Sequence, residues 1–535
     1  MATQWQTFPI EFKGGLISNM SLLQQGSNAI GSAQTLKNFE VNKEGGYTKI
    51  LGYDKFSTTV VPGEDEVLCV KIINADLVLA SRKIDAATVT ARAADGLVTG
   101  DLGKTAYYTS TGTTWTFKGK SGQTNGLKAK FAEFNFDGDD KIVIVDGTSY
   151  PAIYNTNGNT LTFLTSSSAN INTDLQGAER VAIFKNTGFY SKGNTLYFAA
   201  PYTVDNFSVA LGAGNISLAH DITGIAVFRD QLIVFTSDTI SRLTGTSSAD
   251  FQLSPITEKI GCINGDTIQE VGGDIMYLSP DGIRQLSATD RIGDFALDVA
   301  SDKIKETAND FLNGNSNFCS YIIRGKSQYR LFAYRSSRRA SSSEGLIAVK
   351  LATQGSAGIE WSTVTGMKVN VADSVYSGDD EFVMFANNDG YIYESEKGSS
   401  FDGTTIDAIF QSAFMPINDP NVRKTLYKAV WFIDPLGTLN LDFNVKFDFE
   451  SNAYKNVLQP NTVPIVTTSG SVAFFGQGFT FGSTGTNFGS NIEKIYPVNV
   501  IGSGKTVSLR IQDLSSNPSF TLDSAMLEYK TNDRQ

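Results

Sequence analysis

The strongest constraint on the fold of this chain is a short pattern that recurs between residues 75 and 393. A turn rich in Gly or Asp leads into four or five apolar residues, a polar turn follows, and a second apolar run ends the pattern. Apolar runs of this kind between Gly, Asp, Asn and Ser are typical of β-hairpins. Clear and looser copies occupy residues 75–81, 140–155, 194–200, 230–243, 274–286, 328–334 and 380–393.

The spacing of these copies indicates the architecture. Where they are closest, they start about 40 to 55 residues apart, which is the period of a four-stranded propeller blade. A single blade leaves both faces of its sheet exposed, whereas blades arranged radially bury those faces against one another. The pattern therefore predicts an all-β chain with a β-propeller of about six or seven blades. A pair of β-sandwiches with similar strand spacing is the alternative.

The repeat also predicts how the chain is divided. Residues 1–60 carry no blade pattern and are expected to form an arm or packing extension. The propeller is assigned to residues 61–405, with an inserted hairpin or small subdomain around residues 85–125. After about residue 405 the alternation of apolar and polar residues runs through longer strands, so residues 406–535 are predicted to form a β-sandwich-like domain.

Charge and cysteine content limit the possible functions. Charged residues make up only 19% of the chain and the net charge is −11, which argues against tight binding to a phosphate backbone. An acidic wall would instead repel DNA and let it slide past. The three cysteines are widely separated without a CxxC motif, and the N-terminus lacks the features of a secretory signal. We therefore expect the protein to be made and folded in a reducing cytoplasm.

No sequence motif predicts catalysis or a cofactor. The one histidine, His220, has no nucleophile in an elbow context to accompany it. Residues 100–105 and 502–506 end like phosphate-binding loops, but Val98 and Asn499 stand where the first glycine is required. We therefore predict no catalytic and no cofactor-binding residues, and a protein that is not an enzyme.

Two acidic clusters are candidate calcium sites, and one basic stretch is a candidate contact surface. The acidic residues at 137–140 and 379–381 lack the glycine and the distant glutamate of a calcium loop, so no metal ligands are predicted. The basic stretch lies in residues 334–343 and is the densest in the chain. The possible partner contacts predicted from the sequence are Arg335, Arg338, Arg339, Arg423 and Lys424.

Several segments resemble the tail-nozzle or phage-stabilisation proteins of short-tailed bacteriophages (podoviruses). The resemblance covers residues 11–450 in outline and is densest in 180–300, where IGC followed by YLSPDG is its most specific feature. The N-terminal residues 11–56 also resemble the opening arm of that family. The matching segments of the dense part are RVAIFKNTGFYSKGNTLYFAAPYTVDNF (180–207), GIAVFRDQLIVFTSDTISRLTG (224–245) and ITEKIGCINGDTIQEVGGDIMYLSPDGIRQL (256–286).

This resemblance implies a structural role in a virion. It implies a ring of six copies (a homohexamer) below the portal and its adaptor, forming the tail tube that retains the genome and conducts DNA at ejection. Tail fibres or spikes would attach outside, and the host envelope would be met on infection. The family offers no catalytic residues to carry over, and gate or lumen-lining residues are not predicted. The alternatives are a receptor-binding or glycan-cleaving propeller at the tail tip, and a cytoplasmic scaffold propeller.

Overall fold

The computed structural model describes residues 5–136, 138–286, 299–313, 315, 317–334, 344–351, 358–449, 463–466 and 494–532. The chain is all-β: short antiparallel sheets dominate, and the few helices are short. The elements before the first blade are β1 (Gln6–Glu11), α1 (Leu22–Asn28), β2 (Ala33–Lys37), β3 (Phe39–Val41), β4 (Tyr47–Lys49) and β5 (Tyr53–Lys55).

Seven successive sheets form the blades of a β-propeller. Blades 1 and 2 contain β6 (Glu64–Asn74), β7 (Leu77–Lys83), α2 (Ala86–Ala91), β8 (Lys104–Ser110), β9 (Trp115–Thr124), β10 (Lys130–Phe134), β11 (Lys141–Val145), β12 (Ala152–Asn155) and β13 (Thr160–Phe163). Blades 3 and 4 contain β14 (Arg180–Phe184), β15 (Thr187–Lys192), β16 (Thr195–Phe198), β17 (Gly214–Ser217), β18 (Ile222–Phe228), β19 (Gln231–Thr236), β20 (Ile240–Thr244) and β21 (Gln252–Thr257).

In the described residues of the remaining blades, one helix lies between the strands, and the N-terminus completes blade 7. Blades 5 to 7 contain β22 (Gln269–Val271), β23 (Asp274–Ser279), β24 (Gly282–Gln285), α3 (Lys305–Leu312), β25 (Asn317–Ile323), β26 (Gln328–Tyr334), β27 (Glu344–Lys350), β28 (Ile359–Thr365), β29 (Val371–Ser377), β30 (Asp380–Ala386) and β31 (Ile392–Ser395). Strand β5 pairs with β31, so the N-terminal segment supplies a further strand to blade 7. Helix α3 buries Ala308 and Phe311 in the core.

Neighbouring blades are held together by shared apolar cores. Side chains alternate between the two faces of a strand, so a strand buried on both faces can contribute to two cores. In β11, Ile144 packs toward blade 1, whereas Val143 packs toward blade 3. The last such core joins Met384 of blade 7 to Val70 of blade 1. The seventh blade therefore packs against the first, and the seven blades form a ring.

The hairpin predicted as an insertion around residues 85–125 is part of blade 1. Strand β8 pairs with β7 and β9 pairs with β8, so they are the outer strands of that blade. What is inserted is the short helical connection between β7 and β8, which includes α2. Of the two forms predicted for this segment, a hairpin or a small subdomain, the strands at 104–124 belong to the blade itself, and the inserted part is the helical connection.

The C-terminal region forms a β-sandwich, but it does not consist of residues 406–535 alone. Its strands are β32 (Ser400–Phe401), β33 (Thr404–Thr405), β34 (Ala408–Ser412), β35 (Lys424–Pro435), β36 (Asn440–Phe447), β37 (Val463–Val466), β38 (Ile495–Gly504), β39 (Val507–Asp513) and β40 (Phe520–Thr531), of which β32 and β33 belong to the sheet of blade 7. One sandwich sheet has the order β3-β4-β40-β35-β38, and β1 also pairs with β40. The other runs from blade 6 through β2 into β34, β39, β36 and β37.

The N-terminal residues are therefore structural strands of the sandwich and not only an arm. Trp431 on one sheet and Phe443 on the other have ring centroids 5.2 Å apart, which places them in the core between the sheets. Phe12, next to β1, lies against Phe410 in the same core. Because β2 continues the sheet of blade 6, the sandwich and the propeller share one apolar core.

Candidate functional site

The axis of the propeller is the place where side chains of all seven blades converge. A cavity of about 310 Å³ lies there, lined by residues from the first strand of each blade or the turn before it. A second cavity of about 410 Å³ lies nearer the starts of these strands; the first is called the inner cavity and the second the outer cavity. The charged side chains that border both cavities are Lys128, Lys130, Arg180 and Asp266.

Asp266 is the anionic centre of this group. Its Oδ1 lies 2.6 Å from the Lys130 Nζ and 2.5 Å from a guanidinium nitrogen of Arg180. Burial alone would raise the pKa of the Asp266 carboxyl, but the two cations outweigh burial and hold that pKa well below its usual range. Asp266 is therefore an ionised carboxylate that joins blade 2, blade 3 and blade 5.

The backbone around Asp266 is fixed by capping and by contacts with blade 6. The Asn264 side chain accepts a hydrogen bond from the Asp266 N–H at 2.8 Å, which caps the short 3-10 turn that carries the aspartate. The Ser320 hydroxyl donates to the Asp266 carbonyl oxygen at 2.8 Å. A Cβ on Gly265 would lie 2.2 Å from the Thr223 carbonyl oxygen, so only glycine fits this turn.

The cations around Asp266 outnumber the carboxylate. Burial, assisted by Arg180 and Lys128, lowers the pKa of Lys130 to about 8 against the opposing effect of Asp266. The Lys128 ammonium donates to the Phe318 carbonyl oxygen at 3.2 Å. Three cations thus share one carboxylate at the junction of the two cavities.

A second ion cluster connects blade 1 with blades 7 and 2. The Lys71 Nζ lies 2.8 Å from Glu133 Oε1 and 3.2 Å from Asp373 Oδ2. Burial works to lower the pKa of Lys71, but the two carboxylates outweigh it and raise that pKa. Asp373 also accepts a hydrogen bond from the Ile72 N–H at 2.8 Å. The two carboxylates more than neutralise the Lys71 ammonium, and these ion pairs fasten the ring.

The structure describes two of the five predicted partner contacts. Arg335, Arg338 and Arg339 lie outside the described residues. Arg423 is exposed and donates to the Ser503 carbonyl oxygen at 3.2 Å. Lys424 is buried, and its ammonium donates to the carbonyl oxygens of Pro416, Asp419 and Lys505.

Lys424 as a surface contact was therefore a wrong prediction. Every second side chain of a strand such as β35 faces the core, and this lysine is on the inner face. Burial lowers the pKa of Lys424, which is opposed by Asp419 and Asp448. Its ammonium group supplies hydrogen bonds to backbone carbonyl oxygens at the end of the sandwich.

The motifs that imitate catalytic or nucleotide sites have ordinary local partners. The ammonium of Lys104, in the first loop-like segment, lies 3.0 Å from Asp101 Oδ1. His220 is half exposed, with its Nε2 3.5 Å from Asp238 Oδ2. In the second segment, Gly504 ends β38 and Val507 begins β39, so the segment is a turn between strands.

The acidic clusters have hydrogen-bond partners in their own turn or in the neighbouring blade. Asp140 accepts from the Asn135 amide at 2.6 Å, and Glu381 accepts from the Arg324 N–H at 2.7 Å. Asp137 lies outside the described residues. Within the described ranges, no three His, Cys, Asp or Glu side chains are grouped in a way that could hold a metal ion.

No sequence motif marks Lys128, Lys130 or the pairing of Arg180 with Asp266. A weak signal was present, because Arg180 and Asp266 both lie in the segments that carry the family resemblance. Nothing in the sequence shows that these segments meet at one axis, since they belong to different blades.

Comparisons with known proteins do not name a family. No family model matches the chain, and no curated protein matches it. Among solved structures, U3-55K is 8% identical with a TM-score of 0.39, over 64% of this chain and 99% of that one. The extracellular domain of the putative one component system BT4673 from B. thetaiotaomicron is 10% identical with a TM-score of 0.38, over 79% of this chain and 49% of that one.

A third structure is a glycoside hydrolase family 43 arabinoxylan arabinofuranohydrolase from Bacillus subtilis, in complex with cellotetraose. It is 9% identical with a TM-score of 0.26, over 90% of this chain and 99% of that one. All three likenesses are too loose to indicate an activity or a ligand for this chain. Among the described residues, no helix has the length and apolar character needed to cross a membrane.

Proposed function

We propose that this chain is a structural subunit of a short bacteriophage tail, and not an enzyme. Six copies would form the nozzle that retains the packaged genome and conducts DNA at ejection. The observation that carries the proposal is the resemblance of residues 180–207, 224–245 and 256–286 to tail-nozzle proteins. These segments form most of blades 3 and 4 and the whole described part of blade 5.

The size and charge of the axial cavity favour a DNA path outside the ring of blades. A cavity of about 310 Å³ filled by paired side chains cannot admit a duplex, whose major groove alone is about 12 Å wide. Its cations would also hold phosphate instead of letting it slide. The conduit is therefore proposed to lie between copies, and six chains of charge −11 bring 6 × −11 = −66 to the assembly.

The outer face of the sandwich supports contact between copies. On β38, Ile495 and Ile501 are 50% and 67% exposed, and they lie on the same face because side chains alternate along a strand. Tyr427 on the neighbouring β35 is 40% exposed. Exposed apolar groups clustered on one sheet face are typical of protein–protein interfaces.

The charge state of the axial site supports a role without catalysis. A glycan-cleaving enzyme needs a carboxylic acid that is protonated at working pH and can donate its proton. Asp266 is held ionised by Lys130 and Arg180, so it cannot serve as that acid. Asp373, the other carboxylate lining the inner cavity, is engaged by Lys71 and a backbone N–H.

Electron microscopy of the purified protein and of virions tests the proposal. We expect a six-fold ring on the tail axis, with the propellers arranged around a common channel. A protein that stays monomeric at all concentrations and never enters the particle would contradict it. Incubation with host envelope polysaccharide is the second measurement, and depolymerisation would favour the glycan-cleaving alternative.

A further inference from the structure

We infer that the axial cavity of the propeller binds a small anion through phosphate or carboxylate oxygens, between Lys128, Lys130 and Arg180. This site is distinct from any DNA conduit between copies. It does not depend on the proposed tail function, because it rests only on the charges and contacts at the axis.

The first argument is the local charge balance. Lys128, Lys130 and Arg180 border both cavities, and Asp266 is the carboxylate that two of them share. Lys71 also lines the inner cavity, but it is matched by Asp373 and Glu133. The four cations and three carboxylates named here leave an excess of one positive charge at the axis, in a protein of net charge −11.

The second argument is that one cation lacks a carboxylate partner. The Lys128 ammonium contacts the Phe318 carbonyl oxygen and forms no ion pair with a carboxylate in the described part of the chain. Among its described lining residues, the inner cavity has two acidic side chains, Asp266 and Asp373. Glu66 and Glu179 line the outer cavity instead. Uncompensated cations at a partly buried site favour an anionic ligand, because the ligand supplies the missing charge.

The third argument concerns the size of the ligand. A cavity of about 310 Å³ is at the lower end of small-molecule sites, which span roughly 300–1,000 Å³. This admits inorganic phosphate, a phosphate monoester or a small polycarboxylate. The guanidinium of Arg180 can bind two oxygens of one such group, and the ammonium groups add point charges.

The rigid surroundings make the site preorganised. Blades 2, 3 and 5 supply the charged groups, and the 3-10 turn of Asp266 is capped by Asn264 and tied to Ser320. Gly265 brings the backbone close to Arg180, because a Cβ there would lie 3.1 Å from the Arg180 Cζ. A site whose groups are already in place loses little conformational entropy when a ligand binds.

Calorimetric titration of the full chain with inorganic phosphate and with citrate tests the inference. We expect one site per chain for at least one of the two probes. Arg180→Gln and Lys128→Gln should each weaken binding at least about tenfold, the loss of one charge-assisted contact. Asp266→Asn should strengthen binding, because it removes the carboxylate that competes for the same cations.

A matched control is Lys185→Gln. Lys185 lies in the same blade as Arg180 but pairs with the exposed Asp230, so its loss should leave binding unchanged. If Arg180→Gln does not fold, Lys128→Gln carries the test, because Lys128 contacts a carbonyl oxygen and supports no ion pair. The inference is overturned if neither probe binds, or if the axial and control variants bind equally well.

Discussion

The Lys130 ammonium of blade 2 lies 2.6 Å from the Asp266 carboxylate of blade 5, across the axis of the propeller. Among the described residues, blades 2 and 5 share no apolar core, since blade 2 packs with blades 1 and 3 and blade 5 packs with blades 4 and 6. Apolar packing therefore fixes each blade against the next, whereas the axial ion pairs connect blades that are not adjacent. The charged groups of these ion pairs also line the axial cavity and contribute to its charge.

Replacing Asp266 by Asn should destabilise the fold by about 3 kcal/mol, because breaking a buried ion pair leaves charges without a partner. Guanidinium denaturation, followed by tryptophan fluorescence, measures the change. Asp230→Asn is the control: Asp230 is 78% exposed and its pair with Lys185 should contribute less than about 1 kcal/mol. Equal losses in the two variants would contradict a structural role for the axial pair.

The pH dependence of stability should show the lowered pKa of Lys130. Burial lowers this pKa from 10.5 to about 8, so between these values the unfolded chain binds more protons than the folded one. The free energy of unfolding contributed by Lys130 should therefore rise as pH increases from 8 to 10.5. The difference between wild type and Lys130→Gln, measured by denaturation across this window, isolates the effect. If the difference in free energy of unfolding does not change with pH across this window, the pKa of Lys130 is not lowered by folding.

Lys49→Met should destabilise the protein by about 3–5 kcal/mol, because it leaves Asp513 buried without its partner. The two side chains are 2.7 Å apart and 0% and 1% exposed, and they tie the N-terminal strand β4 to the end of β39. The free energy of unfolding measures the loss. Lys13→Met removes an exposed pair with Glu11 and should have little effect. A comparably small loss for Lys49→Met would mean that the N-terminal strands add little to the sandwich.

The three cysteines should react slowly with thiol reagents in the native protein. Burial raises the pKa of Cys69 to about 12 and those of Cys262 and Cys319 to about 11, so little thiolate exists near neutral pH. A colorimetric thiol assay at pH 8 should show three reactive groups only after denaturation. Fast labelling of a native cysteine would contradict this burial.

Ile501→Asp should weaken assembly of copies without unfolding the chain, if the outer face of β38 is a contact between copies. Ile501 is 67% exposed, so a charge there costs little in the single chain but disrupts an apolar interface. Analytical ultracentrifugation gives the oligomeric state. Val209→Asp, at a position 81% exposed on blade 3, is the matched control. Loss of assembly in both variants, or in neither, would exclude this face as the specific contact.

Much of the fold could be predicted from local patterns. Runs such as residues 230–243 and 274–286 show where strands turn, because alternation and turn residues are local properties. The all-β class, the propeller and its size of about six or seven blades were confirmed. The sequence did not show that residues 104–124 are outer strands of blade 1, because pairing of β8 with β7 depends on contacts beyond the intervening helix α2.

The sequence by itself determined the hairpin units, their spacing and the apolar faces that force blades to pack. Only the tertiary structure decided that β5 completes blade 7, that β1 to β4 build the sandwich, and that Lys130, Arg180 and Asp266 meet. The reason is physical. Strand period and turns arise from neighbours in sequence, whereas strand pairing over hundreds of residues and convergence on an axis arise from closing the ring.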